Sequence, residues 1–114
     1  DHIAHIEINR QATESLLFDA VKAKMVNDED PHDRQARQRA DLLAATAKFL
    51  ASNAACDAAD RAVQVLGGRG YSELYRPGRH WKDVRVCRIY EGTDEILKLK
   101  IAAGVLGKGY EAFS

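Results

Sequence analysis

A run of small residues recurring every three or four positions constrains this chain more than any other feature. Ala36, Ala40, Leu43, Ala47, Leu50, Ala54, Ala58, Ala62 and Val65 fall on one stripe of a single helix. A stripe built largely from alanine lets a neighbouring helix axis approach closely, so this helix has to be covered by others. Asp33 is placed to cap its start, and Gly67 and Gly68 stop it, as glycine does just past a last turn.

The flanking segments carry the same period. Ile3, Ile6, Thr13, Leu16, Leu17, Ala20 and Val21 predict a helix from near Ile3 to Met25. The acidic run Asn27-Asp28-Glu29-Asp30-Pro31 is expected to break it, because proline disfavours helix in the residue before it. From Arg69 to Tyr90 the pattern is irregular, with Pro77-Gly78 reading as a turn and one short helix around Trp81 to Val84. An irregular stretch of that length is uncommon in a small domain unless it binds something. The last helix starts at Thr93, whose hydroxyl suits an N-cap, and Asp94 and Glu95 complement the positive end of the dipole. Ile96, Leu97, Leu99, Ile101, Ala102, Val105 and Leu106 give it an apolar surface, and Gly104, Gly107 and Gly109 weaken its end. No alternating strand pattern and no internal repeat occur. The expected fold is all-α, an antiparallel up-down bundle of three long helices forming one domain over residues 1–114.

Composition narrows the function. The 114 residues carry a formal charge of zero, which gives no overall bias toward nucleic acid or an anionic membrane. No stretch is long enough for a membrane span, and the N-terminus lacks a signal peptide's apolar core. Cys56 and Cys87 are far apart and neither belongs to a Cys-x-x-Cys pair, so both read as reduced packing thiols. His2 and His5 stand three apart without further ligands at matching spacing, and no metal site is expected. Trp81 reads as a packing anchor. The chain opens at Asp1, directly in a helical pattern, which suggests a piece of something longer.

Chemistry concentrates in Ile89-Tyr90-Glu91-Gly92-Thr93-Asp94-Glu95-Ile96, where a carboxylate beside a glycine precedes a helix start. Upstream lies Gln64-Val65-Leu66-Gly67-Gly68-Arg69-Gly70-Tyr71, a helix running into a glycine-rich turn. Together these runs resemble the C-terminal helical domain of the acyl-CoA dehydrogenases, flavoenzymes that desaturate acyl thioesters. The resemblance is firm from about Asp60 to Lys100 and looser toward both ends. It implies part of a four-helix bundle from which the first helix and its Arg-x-x-Phe-Gly stretch are missing, leaving an apolar groove. The Pro77-Gly78-Arg79 stretch departs from the commoner family pattern.

What the resemblance implies for mechanism is specific. Desaturation needs a base for the α-proton and a hydride acceptor, and no side chain accepts hydride, so the acceptor is a cofactor, FAD in this family. Glu91 is then the base, tuned by burial beside substrate and flavin. Its backbone N–H is one donor to the thioester carbonyl, Gly92 keeps the bend open, and Tyr90 lines the acyl pocket. Thr93, Asp94 and Glu95 open a helix that can hold the pyrophosphate region of flavin. Gln64, Val65, Leu66, Gly67 and Gly68 touch flavin bound mainly by a neighbouring subunit. The acyl-CoA substrate, a homo-oligomer (usually a tetramer) and an electron-transferring flavoprotein are the implied partners. The implied compartment is the bacterial cytoplasm or, in a eukaryote, the mitochondrial matrix.

Plainer readings stand beside these. Glu91 is also what a loop before a helix start favours, Thr93 can simply cap, and Gln64 to Gly68 can simply end a helix. Arg69, Arg76, Arg79, His80, Lys82, Arg85 and Arg88, offset by Glu73 and Asp83, lie near phosphates of cofactor or coenzyme A, or form a solvated or salt-bridged face. A non-catalytic helical interaction module that keeps the fold is the alternative function; nucleic-acid binding is disfavoured by the interleaved acids.

Overall fold

A computed structural model describes residues 1–107, and within them every regular element is helical. The elements are α1 (His2–Glu29), α2 (Arg34–Leu66), α3 (Gly68–Tyr71), α4 (Arg76–Arg85), a 3-10 turn (Val86–Arg88) and α5 (Asp94–Leu106). The molecule is elongated, 53 × 27 × 22 Å, because α2 alone runs about 50 Å at 1.5 Å per residue.

Helix α2 is the spine. Asp33 caps it as its sequence position predicts: the carboxylate accepts from the N–H of Gln35 at 3.0 Å and of Ala36 at 3.2 Å. At the other end Gly67, with φ +61°, donates its N–H to the carbonyl of Val63. Helix α1 returns along α2 in the opposite direction. His2 Nδ1 lies 3.1 Å from Arg61, and Asn9 reaches Asp57 at 3.4 Å, so the start of α1 meets the end of α2. Helix α5 is also antiparallel to α2, since Asp94 meets Asn53 while Gly104 abuts Leu42.

Small residues form the core: Ala20 and Ala23 from α1, with Ala40, Ala45, Ser52 and Ala59 from α2. Leu97, 4% exposed, is the one large apolar side chain buried to that degree among the described residues. Alanine contributes little area each, and stability comes instead from the short distance between axes that alanine permits. The outer side of α1 stays uncovered, exposing Ile3, Ile8, Leu17, Phe18 and Met25.

Three expectations are corrected. Helix α1 continues past Met25 through Asn27 and Asp28 to Glu29, because Pro31 restricts only the residue before it, Asp30. The segment Arg69 to Tyr90 is mostly helical. Pro77 opens α4 in its first turn, where its missing N–H costs nothing, so Pro77-Gly78 starts a helix and does not form a free turn. Gly78 is needed there because a Cβ would fall 2.8 Å from the Gly70 carbonyl oxygen and 2.9 Å from that of Ser72. Trp81 is 46% exposed, on the rim of a groove between α1, α2 and α4. Cys56 and Cys87 are free thiols. Gly109 lies outside the described residues.

Candidate functional site

The backbone reverses sharply between the 3-10 turn and α5. Glu91 has φ +58°, the one positive value at a non-glycine residue in the described chain, and Gly92 follows at φ +105°. For a residue with a Cβ the left-handed conformation costs on the order of 1 kcal/mol, and it persists where the surroundings impose it.

Helix α2 imposes it here. Lys48 Nζ donates to the carbonyl oxygen of Cys87 at 2.6 Å and to that of Gly92 at 2.8 Å. One ammonium thus holds the chain on both sides of the bend. Farther along α2, Asn53 Nδ2 reaches both carboxylate oxygens of Asp94 at 3.2 Å, and Arg88 Nε donates to Asp94 Oδ2 at 2.6 Å. Asp94 is 3% exposed. Burial pushes its carboxyl up, but the hydrogen bonds from Arg88 and Asn53, with the charges of Arg88 and Lys48, outweigh burial and hold it below its ordinary value.

Helix α5 is capped as expected. Thr93 Oγ1 accepts from the Ile96 N–H at 3.2 Å. The N–H groups of Asp94 and Glu95 have no acceptor among the described residues, which leaves the positive end of α5 open. The Asp94 carboxylate turns into the bundle and the whole residue is buried, so in this first turn it is Glu95 that is exposed. Glu95 and Glu91 are exposed, as is Tyr90, whose hydroxyl lies 3.4 Å from Cys87 Sγ. The Glu91 N–H also lacks an acceptor among the described residues.

The two groups of residues singled out in the sequence do not share one pocket. Tyr90, Glu91, Gly92, Thr93, Asp94 and Glu95 sit against the middle of α2. Gln64, Val65 and Leu66 lie at its exposed end, about 16 Å beyond Asn53 at 1.5 Å rise per residue, with Gly67 and Gly68 just past them. Of the basic segment, Arg88 is paired inside the chain with Asp94, whereas Arg76, Arg79 and His80 line a shallow exposed cleft with Asp83.

Two residues that hold the site were not legible as such. Lys48 and Asn53 lie on α2, far along the chain from the loop they tie. Lys48 left one signal: it is the single charged residue between Asp41 and Asp57, in a segment otherwise built of apolar and small polar side chains.

The chain matches the family model for the acyl-CoA dehydrogenase C-terminal domain over residues 1–106. It is 46% identical over 69 residues to the mitochondrial short-chain specific acyl-CoA dehydrogenase of Bos taurus, covering 60% of this chain and 16% of the relative. It is 46% identical over 63 residues to the short-chain specific acyl-CoA dehydrogenase of Megasphaera elsdenii, covering 55% of this chain and 16% of the relative. A 3-(aryl)acrylate reductase of Clostridium sporogenes is 32% identical over 104 residues, covering 91% of this chain and 25% of the relative. The chain therefore spans a quarter or less of the length of these relatives. A match across nearly all described residues, on an all-α chain with this motif at the start of its last helix, places it in the acyl-CoA dehydrogenase family, as a C-terminal domain.

Proposed function

We propose that this chain is the C-terminal part of an FAD-dependent acyl-CoA dehydrogenase in which Glu91 removes the α-proton of an acyl-CoA thioester. One observation carries the reading. Glu91 is held in a left-handed bend with its carboxylate exposed and its N–H unpartnered, beside the open N-terminus of α5. That arrangement sets a base and an unpaired hydrogen-bond donor on the same exposed residue. The carboxylate takes the proton from Cα as the N–H stabilises the charge that develops on the thioester oxygen. Gly92 keeps the bend open so that the protein backbone can approach the thioester, and Tyr90 flanks the acyl group.

The residues fit a flavin. The unpaired N–H of exposed Glu95, at the positive end of α5, suits a pyrophosphate, and the inward-facing Asp94 carboxylate, paired with Arg88, keeps its negative charge off that face. Thr93, Asp94 and Glu95 would hold one region of the cofactor. Gln64, Val65, Leu66, Gly67 and Gly68, some 16 Å away along α2, would contact the flavin of a neighbouring subunit. FAD, when bound, supplies the hydride acceptor. The exposed Val65 and Leu66 and the uncovered side of α1 support a homo-oligomer, of which a tetramer is the expected form. An electron-transferring flavoprotein is the expected electron acceptor.

Glu91→Gln in the full-length protein tests the assignment. The rate at which acyl-CoA bleaches flavin absorbance should fall roughly 1,000-fold at unchanged flavin content. Fast bleaching in that variant would refute it, and a full-length protein that never bleaches with any acyl thioester would favour a non-catalytic helical module. The similarity to an acrylate reductase across 91% of the chain supports a second reading, with the same groups run in reverse and Glu91 delivering a proton to Cα. Turnover measured from saturated and from α,β-unsaturated substrates separates the two directions.

A further inference from the structure

We infer that Lys48 is the positioning residue for Glu91, an assignment that rests on the reading of Glu91 as the base. The Glu91 carboxylate has no hydrogen-bond or ion-pair partner among the described residues, so nothing but its backbone conformation aims it. That conformation is left-handed and unfavourable for a glutamate, and a local sequence preference does not produce it.

The cause lies across the fold. Lys48 Nζ donates to the carbonyls of Cys87 and Gly92, so the two oxygens lie no farther apart than the sum of those bonds, 2.6 Å and 2.8 Å. Closing the chain from Cys87 to Gly92 onto one ammonium leaves the residues between them little freedom. The Gly92 carbonyl belongs to the peptide immediately after Glu91 and Gly92, and fixing it fixes the reversal. A second tie, Arg88 and Asn53 on Asp94, anchors the same loop just inside and just beyond that closure.

The placement of Lys48 argues against a mere packing role. A half-buried lysine on a helix whose neighbours are alanine, phenylalanine and leucine would be replaced by an apolar residue if filling space were the only demand. Its stem crosses from α2 to the loop, and its cation is spent on two backbone oxygens with no carboxylate partner among the described residues. Such an ammonium leaves the loop's outer surface free for substrate and cofactor. Its charge also favours the ionised Asp94 that anchors the same loop, and on the reaction it acts through the direction in which Glu91 points.

The test uses the full-length holoenzyme and stopped-flow reduction of its flavin by acyl-CoA. Lys48→Met should lower the limiting bleaching rate about 100-fold, the scale on which misplacing a reacting group acts. The acyl-CoA concentration at half-maximal rate should stay within about threefold, and flavin content should stay unchanged. Lys48→Arg, which can still donate to two carbonyls, should recover most of the rate. Lys48→Gln, shorter and neutral, should fall between and decides the matter if Lys48→Met does not fold. In a Glu91→Gln background, Lys48→Met should cost nothing further, because a residue that acts through Glu91 has nothing left to position. Wild-type bleaching in Lys48→Met or Lys48→Gln, or additive losses in the double variant, overturns the inference while Glu91→Gln stays inactive. If Glu91→Gln itself keeps its rate, the reading of Glu91 as the base fails first.

Discussion

Asp94→Asn isolates the electrostatics of the loop anchor. The substitution keeps shape and removes the charge on a carboxylate that is 3% exposed and receives Arg88 at 2.6 Å and Asn53 at 3.2 Å. Two opposing effects set the outcome. Burial disfavours the charged form, whereas a charge-assisted hydrogen bond contributes about 1.5–3 kcal/mol, and the first turn of α5 adds about 0.3–1 kcal/mol for an anion. The carboxyl is held below its ordinary value of 3.8, so the hydrogen bonds and charges win and the native state prefers the ionised form. Asp94→Asn should therefore lose about 2 kcal/mol at pH 7. The sign with pH follows from the same direction. A lowered carboxyl stabilises the fold fully above its unfolded value, and that stability is lost as pH falls through the native one. The difference between wild type and Asp94→Asn should be constant from pH 7 down to about pH 5 and close as pH drops below 3.8. Urea unfolding followed by helical circular dichroism, repeated across that range, measures it. With a slope of about 2 kcal/mol per molar urea, the midpoint should shift by about 1 M at neutral pH. A variant as stable as wild type at pH 7, or a gap that does not change with pH, would show that burial outweighs Arg88 and Asn53 and would refute the reasoning.

Two further measurements probe the frame that carries the loop. Gly78→Ala should destabilise by about 3 kcal/mol, since its Cβ meets three backbone oxygens, those of Gly70, Tyr71 and Ser72, none of which can yield. Gly104→Ala comes too close only to Leu42 Cδ1, the far end of a flexible side chain, with the rest of Leu42 at ordinary contact distance. It should be neutral or stabilising by up to about 1 kcal/mol through helix propensity, so thermal melting should order the pair clearly. Asp33→Ala removes a cap with two hydrogen bonds and should cost about 1 kcal/mol, whereas Asp33→Asn should cost little; equal losses in the two would mean the charge, not the cap, matters.

The sequence by itself determined what depends on near neighbours. The stripe from Ala36 to Val65 fixed the long helix, Asp33 and Thr93 fixed two starts, and Gly67 fixed an end, because caps and helical period act within a few residues. The Tyr90 to Ile96 run is recognisable by its resemblance to a family motif, with only Thr93 to Glu95 legible as a helix start. The neighbouring segment from Arg69 to Tyr90 reads as irregular because Pro77 and Gly78 signal a turn locally, whereas packing of Gly78 against the Gly70 and Ser72 carbonyls makes them the start of a helix.

Only the tertiary structure decided how Glu91 is held. Lys48 is 39 residues from Cys87 and 44 from Gly92, and Asn53 is 41 from Asp94, separations that no periodicity spans. Hydrogen bonds of that range exist because α5 packs antiparallel along α2, with Gly104 against Leu42 and Asp94 against Asn53, which brings a cation of one helix under the loop that opens the other.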